Sequence, residues 1–313
     1  MHNADKTKTW KKGINRFSDM TEDEKKRFRG LNRAMLHREV HERKESVHHR
    51  SLGVPLPRNK DWRKEGIISA VKDQGQCGSC WTFGSTETVE SYWALATGQL
   101  PVLSQQFILD CTPNPKDCGG TGGCEGATAT LAIGTIIRNG GIPQEWTYPY
   151  QSYFGTDFTV CKNTSAYNFS PFAQVTAQIH LPANQEQPVL ETLATIGPVI
   201  TNVDASDWSS YESGVYQGCS VNATIDHVVQ IVGYGFDPVS QLDYFLVRNS
   251  WNPSWGEDGF IRLVRQKTCG IDNNPGQGNI CTGGPATVPV CGQCGILYSN
   301  SYIQVAAPPS KRK

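Results

Sequence analysis

No stretch of this 313-residue chain approaches the roughly 18 consecutive apolar residues that a membrane-spanning helix needs. The opening Met1-His-Asn-Ala-Asp-Lys contains no apolar segment of the kind a secretory leader carries. Net charge is missing too. The 29 Lys+Arg balance 29 Asp+Glu, which gives no reason to expect nucleic acid or an anionic membrane as the main partner. Histidine is scarce where it matters: of seven, only His180 and His227 follow residue 57. Any chemistry in the body of the chain that needs an imidazole must use one of these two.

Cysteine, by contrast, is in surplus. Eleven is a high and odd number, so five disulfides plus one reserved thiol is the simplest arithmetic, and it points to an oxidising compartment. The sequons Asn163-Thr-Ser, Asn168-Phe-Ser and Asn222-Ala-Thr agree. A targeting segment lying outside this sequence would reconcile these features with the missing leader. Charge is balanced only in sum. Residues 1–57 carry 14 Lys+Arg against 8 Asp+Glu, a net of +6, which leaves −6 on the remainder. A basic arm can thus associate with an acidic body.

Along the chain, Thr21 with Glu24 three positions on has the pattern of a helix N-cap. Residues 31–53 read as an exposed, basic, cleavable linker, and Val54-Pro55-Leu56-Pro57 marks a boundary. Apolar spacing predicts a helix over 79–97, stopped by Gly98, and a second over 125–138, stopped by Gly140-Gly141. After Tyr167 the texture turns strand-rich, with β runs at 173–179, 198–203, 227–234 and 244–248. His180 falls at a strand end with a surface role. A helical half followed by a strand-rich half predicts an α+β protein with a cleft between its halves.

One short segment carries the chemistry. Gln74-Gly-Gln-Cys-Gly-Ser-Cys80-Trp81 places a thiol at the start of the first predicted helix, with a side-chain amide six residues upstream and Gly78 in a turn between them. A helix N-terminus and a nearby imidazolium both favour a nucleophilic thiolate. His227 opens the apolar run Ile225-Asp226-His227-Val-Val-Gln-Ile-Val, 147 residues after Cys80. Asn249 lies in Arg248-Asn249-Ser-Trp251, 169 residues after Cys80, which implies an inserted loop upstream.

These motifs resemble those of papain and the cathepsins, and the resemblance covers residues 13–29 and 55–305. Gly13, Asn15, Phe17 and Asp19 match the G-x-N-x-F-x-D element of a cathepsin L-type inhibitory propeptide. Only Asn3 remains of the longer helix that precedes it in that family. The resemblance implies a zymogen: residues 1–54 as a partial propeptide and linker, and 55–313 as a papain-like peptidase. The peptidase divides into a helical lobe (62–166), a β-barrel-like lobe (167–294) and a C-terminal arm (295–313). It implies Cys80 as nucleophile, His227 as acid and base, and Asn249 orienting the imidazole under cover of Trp251. Gln74 and the Cys80 N–H would form an oxyanion hole.

For substrate binding the resemblance implies Gly78, Gly126, Ala127, Asp226 and Trp251, with Ala127 standing where the family has a second glycine. Pocket positions fall at Ala127, Thr128, Ala129, Ile225 and Ser299, none acidic, which favours an apolar substrate residue there. The implied bridges are Cys77–Cys124, Cys111–Cys161 and Cys219–Cys294. Cys118, Cys269, Cys281 and Cys291 exceed the family's set and form two more, of open pairing. The segment from Cys269 to Cys291 reads as a stapled surface loop. No long histidine-bearing insertion blocks the cleft, which favours an endopeptidase. The implied protein is a monomer with no cofactor and no metal, acting on polypeptides in a lysosome, an acidic vacuole or outside the cell. Two rivals remain: a metal or redox site at Cys77-x-x-Cys80 and Cys291-x-x-Cys294, and a catalytically silent homologue acting as a binding protein.

Overall fold

The computed structural model describes residues 2–30, 53, 55–157, 160–161, 170–278 and 280–306. Nearly all of the linker and the sequons at Asn163 and Asn168 therefore lie outside the described residues. The N-terminal arm contributes strand β1 (Trp10–Lys12) and helix α1 (Glu22–Lys26). Asn3 pins β1 through both of its amide atoms, which bond the Lys12 carbonyl at 2.7 Å and the Lys12 N–H at 2.8 Å. Thr21 and Glu24 form the reciprocal cap expected from their spacing.

The body begins with β2 (Lys60–Asp61), followed by α2 (Cys80–Thr97), α3 (Gln105–Cys111) and α4 (Ala129–Arg138). There follow β3 (Val175–His180), α5 (Glu186–Thr195), β4 (Val199–Val203), β5 (Tyr211–Tyr216), β6 (His227–Asp237), β7 (Leu242–Arg248) and β8 (Phe260–Val264). β9 (Cys269–Asp272) and β10 (Val288–Cys291) form a separate hairpin, and β11 (Asn300–Val305) closes the described chain. The main sheet runs β1-β5-β8-β7-β6-β4-β11-β3, with β2 added against β6. The arm thus extends the body's own sheet: Trp10 pairs with Gly214 of β5 and packs on Tyr216.

Helices α2, α3 and α4 gather around Trp81, Phe107, Ile133 and Ile136, while the sheet encloses Val203, Trp208, Ile231, Phe245 and Ile261. The α+β reading with two lobes holds. α2 lies between them and is buried on every side from Cys80 to Ala94. Its close approach to β6 requires Gly84, where a methyl group would lie 3.0 Å from Val228 Cγ1. Two of its buried polar residues, Glu87 and Ser91, meet the other lobe. Gln230 of β6 donates to Ser91 Oγ at 3.1 Å, and Arg248 of β7 lies 3.4 Å from Glu87, both fully enclosed.

The first predicted helix and the four β runs are present, and Gly98 ends α2 in the left-handed region at φ 73°. The second helix starts later than residue 125. Glu125 closes a short 3-10 turn, Gly126 sits at φ 92° where a helix cannot continue, and Thr128 caps α4. α5 inside the strand-rich half was not foreseen; its Val189, Leu190 and Leu193 cover the sheet.

Replacing Glu87 with alanine strands the enclosed Arg248 guanidinium without its carboxylate. The expected loss is about 3–5 kcal/mol in urea unfolding at unchanged m-value. A loss below about 1 kcal/mol would show that the seam does not rely on the pair.

Candidate active site

The first turn of α2 puts Cys80 at the seam, 1% exposed, and among the described cysteines it alone is not bridged. The N–H of Val228, next to His227, donates to its Sγ at 3.5 Å. The start of β6 therefore lies against the start of α2. Gln74 is fully buried; its Nε2 donates to the Cys77 carbonyl at 2.9 Å and its Oε1 accepts from Ser250 Oγ at 2.7 Å. The amide is held from both ends, so its nitrogen points toward the Cys77–Cys80 turn.

His227 Nε2 lies 2.8 Å from Asn249 Oδ1, which also accepts the Ser250 N–H at 2.8 Å. That second bond fixes Oδ1 as the acceptor, so Nε2 carries the proton in the neutral ring. Nδ1 is buried with no hydrogen-bond partner and keeps a lone pair available. Trp251 lies over the imidazole with ring centres 5.0 Å apart, and Trp208 meets it edge-on at 6.3 Å. Both rings exclude water from the His227–Asn249 bond, which strengthens it.

The arm threads through this site. Phe17 packs between Phe28 and Trp251, and Arg16 makes a two-pronged bond to Asp73 at 2.6 and 2.8 Å. Trp251 Nε1 donates to the Phe28 carbonyl at 2.8 Å. Next, Arg29 lies 3.3 Å from Asp226, both nearly buried. A methyl group on Gly78 would lie 3.0 Å from the Arg29 carbonyl, and one on Gly126 would strike the Gly30 carbonyl. One on Gly30 would lie 2.8 Å from Cys80 Sγ. The backbone of residues 28–30 runs from Trp251 past the sulfur to Gly126. The groove is occupied by the chain's own arm.

Burial sets the electrostatics of this covered state. It pushes the Cys80 thiol up to about 12, against opposing hydrogen bonds from the N–H groups of Val228 and Gly30. It drives His227 down to about 4, opposed by the Asn249 bond. Asp226 is raised to about 8, first by burial, with Arg29 opposing and Asp204 adding to the rise. Cys80 and His227 are therefore both neutral at pH 7 beneath the arm.

The sequence motifs thus bring Cys80, His227, Asn249, Gln74, Gly78, Gly126, Asp226 and Trp251 to one groove. Ala127 is buried beside Gly126, and His180 ends β3, paired with Ser301 of β11. Ser250 and Trp208 were missed. Ser250 adjoins Asn249 in the motif and could have been suspected, whereas nothing local marks Trp208. Cys77–Cys124, Cys111–Cys161 and Cys219–Cys294 are all formed. The remaining four pair as Cys118–Cys281 and Cys269–Cys291. With Cys77, Cys291 and Cys294 bridged elsewhere, neither C-x-x-C spacing offers a dithiol or a metal-ligand pair.

A reduced thiol in contact with the residue after His227, whose Nδ1 keeps its lone pair, suits acyl transfer through a thioester. A family model for papain family cysteine proteases matches residues 56–278. Oryzain beta chain of Oryza sativa subsp. japonica is 38% identical over 307 residues, 96% of this chain and 58% of that protein's length. Procathepsin L of Rattus norvegicus is 36% identical over 266 residues, covering 82% of this chain and 74% of its own. Among solved structures, digestive procathepsin L 3 of Tenebrio molitor larval midgut matches with a TM-score of 0.72 at 31% identity, over 96% of this chain and 86% of its own. A recombinant stem bromelain precursor matches at 0.73 and 29%, over 96% and 85%. This chain belongs to the papain family of cysteine proteases, with cathepsin L-type and plant relatives, and its two-lobed fold is theirs.

A thiol raised from the ordinary 9.0 to about 12 is about 10³-fold poorer in thiolate at neutral pH. The covered form thus holds its proton more tightly, and this contribution to its stability is lost as pH rises from 9 toward 12. Iodoacetamide should alkylate Cys80 at least about 100-fold more slowly at pH 7 in the intact chain than after cleavage between residues 30 and 55. Equal rates in the two forms would contradict the buried, neutral thiol.

Proposed function

We propose that this chain is a cysteine endopeptidase made as a zymogen, with residues 1–54 as its inhibitory segment and linker and 55–313 as the peptidase. The observation that carries the reading is the unbridged Cys80 under Gly30, its sulfur accepting the N–H of the residue after His227, whose ring proton is fixed by Asn249. Once the arm leaves, water and substrate reach a thiol at a helix N-terminus, where thiolate and imidazolium stabilise each other. Cys80 Sγ attacks the peptide carbonyl, and the C–N bond breaks as His227 Nδ1 gives its proton to the leaving amine. Water, deprotonated by the same nitrogen, then cleaves the thioester and restores the thiol. Gln74 Nε2 and the Cys80 N–H hold the oxyanion in both steps. Gly78, Gly126 and Ala127 bind the substrate backbone where the arm now runs.

Substrates in this reading are polypeptides, and the arm is an inhibitor in cis acting on a monomer. Five disulfides support an oxidising compartment such as a lysosome, an acidic vacuole or the cell exterior. No described helix is long and apolar enough to cross a membrane.

A thiol-directed epoxide applied to the cleaved chain should label Cys80, with labelling lost in His227→Ala. Labelling elsewhere, or none, would overturn the assignment. Gln74→Ala should lower kcat about 10²–10³-fold with KM little changed. A change confined to KM would remove Gln74 from the oxyanion hole.

A further inference from the structure

Residues 269–278 and 280–291 do more than decorate the surface. β9 and β10 are joined at their base by Cys269–Cys291, and their Val288 and Val290 pack with Ala223, Ile225 and Tyr298. The hairpin therefore captures the Ile225 side chain within its own apolar cluster. Asp272, fully buried, accepts the Ile225 N–H at 3.0 Å and fixes the hairpin two residues before His227. The chain then turns at Pro275–Gln277 and crosses to the other lobe.

Three contacts record the crossing. Cys281 is bridged to Cys118, which lies between α3 and α4. The Gly119 N–H donates to the Ile280 carbonyl at 3.3 Å, and the Thr282 N–H donates to the Lys116 carbonyl at 2.9 Å. At the middle sits Gly278. A methyl group on it would strike the Ile225 carbonyl on one wall. On the other wall, a methyl group on Gly119 would lie 2.8 Å from the Gly278 carbonyl and 3.2 Å from the Ala127 carbonyl carbon. A covalently anchored strap thus spans the two lobes just past Gly126, where the track of residues 28–30 leaves the sulfur.

We propose that this strap sets substrate specificity by filling the space beside Ala127 and Ile225. It leaves room only for a small side chain, glycine, alanine or serine, two residues before the scissile bond. The proposal rests on the protease reading, which places Gly126 on the acyl side of the cleaved bond. It adds a limit of size to the expectation of an apolar residue at that position. Of the pocket positions, Ile225 is 1% exposed within the hairpin's own cluster, so the segment leaves little free apolar surface on that wall. Gly278 is the closest-fitting part: its missing Cβ lets the strap lie on the Ile225 backbone. Anchoring by Cys118–Cys281 keeps the strap from lifting when a larger side chain competes for the space.

The test uses the folded full chain, cut between residues 30 and 55 after folding, with active sites counted by epoxide labelling of Cys80. Peptide substrates differ only in the second residue before the cleaved bond: glycine, alanine, leucine or phenylalanine. The unsubstituted protein should prefer alanine to leucine in kcat/KM by about 10–200-fold, the range that a misfit of one or a few methylenes produces. Gly278→Val, which unseats the strap, and Cys118→Ser/Cys281→Ser, which unties it, should each narrow that preference at least about 10-fold. A preference for leucine or phenylalanine in the unsubstituted protein overturns the strap, whatever the variants do. So does an alanine preference unmoved in variants whose Cys80 still labels. Absence of labelling in the unsubstituted protein overturns the protease reading and the strap with it.

Discussion

The contact on which the rest depends is the seam where the first turn of α2 meets the first residues of β6. One hydrogen bond, Val228 N–H to Cys80 Sγ, marks it, and a buried polar layer of Glu87, Ser91, Gln230 and Arg248 holds the two elements in register. A helix buried on all sides is an unusual place for so many polar groups. Here Gln230 bonds Ser91 and Arg248 faces Glu87 across the seam, which favours one orientation of the lobes. That orientation brings the Cys80 thiol of one lobe against the strand start that carries His227 in the other.

The arm uses the same seam to opposite effect. It adds a strand to the sheet, wedges Phe17 against Trp251 and lays Gly30 on the sulfur. Covering the pair removes the solvent that would stabilise its ionised form, so thiol and imidazole both sit neutral. Inhibition in this account is both steric and electrostatic. The Arg29–Asp226 contact adds a polar anchor one residue from His227. The Arg16–Asp73 ion pair of arm and body gives physical form to the basic head and acidic body seen in composition.

Much of this was legible in the sequence because the chemistry is concentrated in short, rigid motifs. Gln74 through Trp81, Asp226-His227 and Asn249 through Trp251 each sit on one turn or strand end, so local sequence fixes local geometry. The scarcity of histidine made His227 nearly unavoidable. What stayed hidden depends on distant residues. Trp208 reaches His227 only because the sheet folds it there, and Gly126 breaks the helical pattern through a backbone angle that apolar spacing does not encode. The hairpin between Cys269 and Cys291 looked like an excursion because composition shows that a segment is rich in Gly and Pro, not where it lands. Its partner, Cys118, lies 163 residues away from Cys281. Pairing across that distance is a tertiary fact.

The central claim is that the arm silences the site by keeping a neutral imidazole beneath it, with its proton on Nε2. Nitrogen-15 NMR of the histidine rings, followed across pH in intact and cleaved chains, tests this most directly. In the intact chain His227 should show a protonated Nε2 and an unprotonated Nδ1 at pH 7, titrating near 4. After cleavage both nitrogens should be protonated at pH 7, as in an ion pair with the thiolate. An imidazole already cationic at pH 7 beneath the arm, or one unchanged by cleavage, would contradict the account.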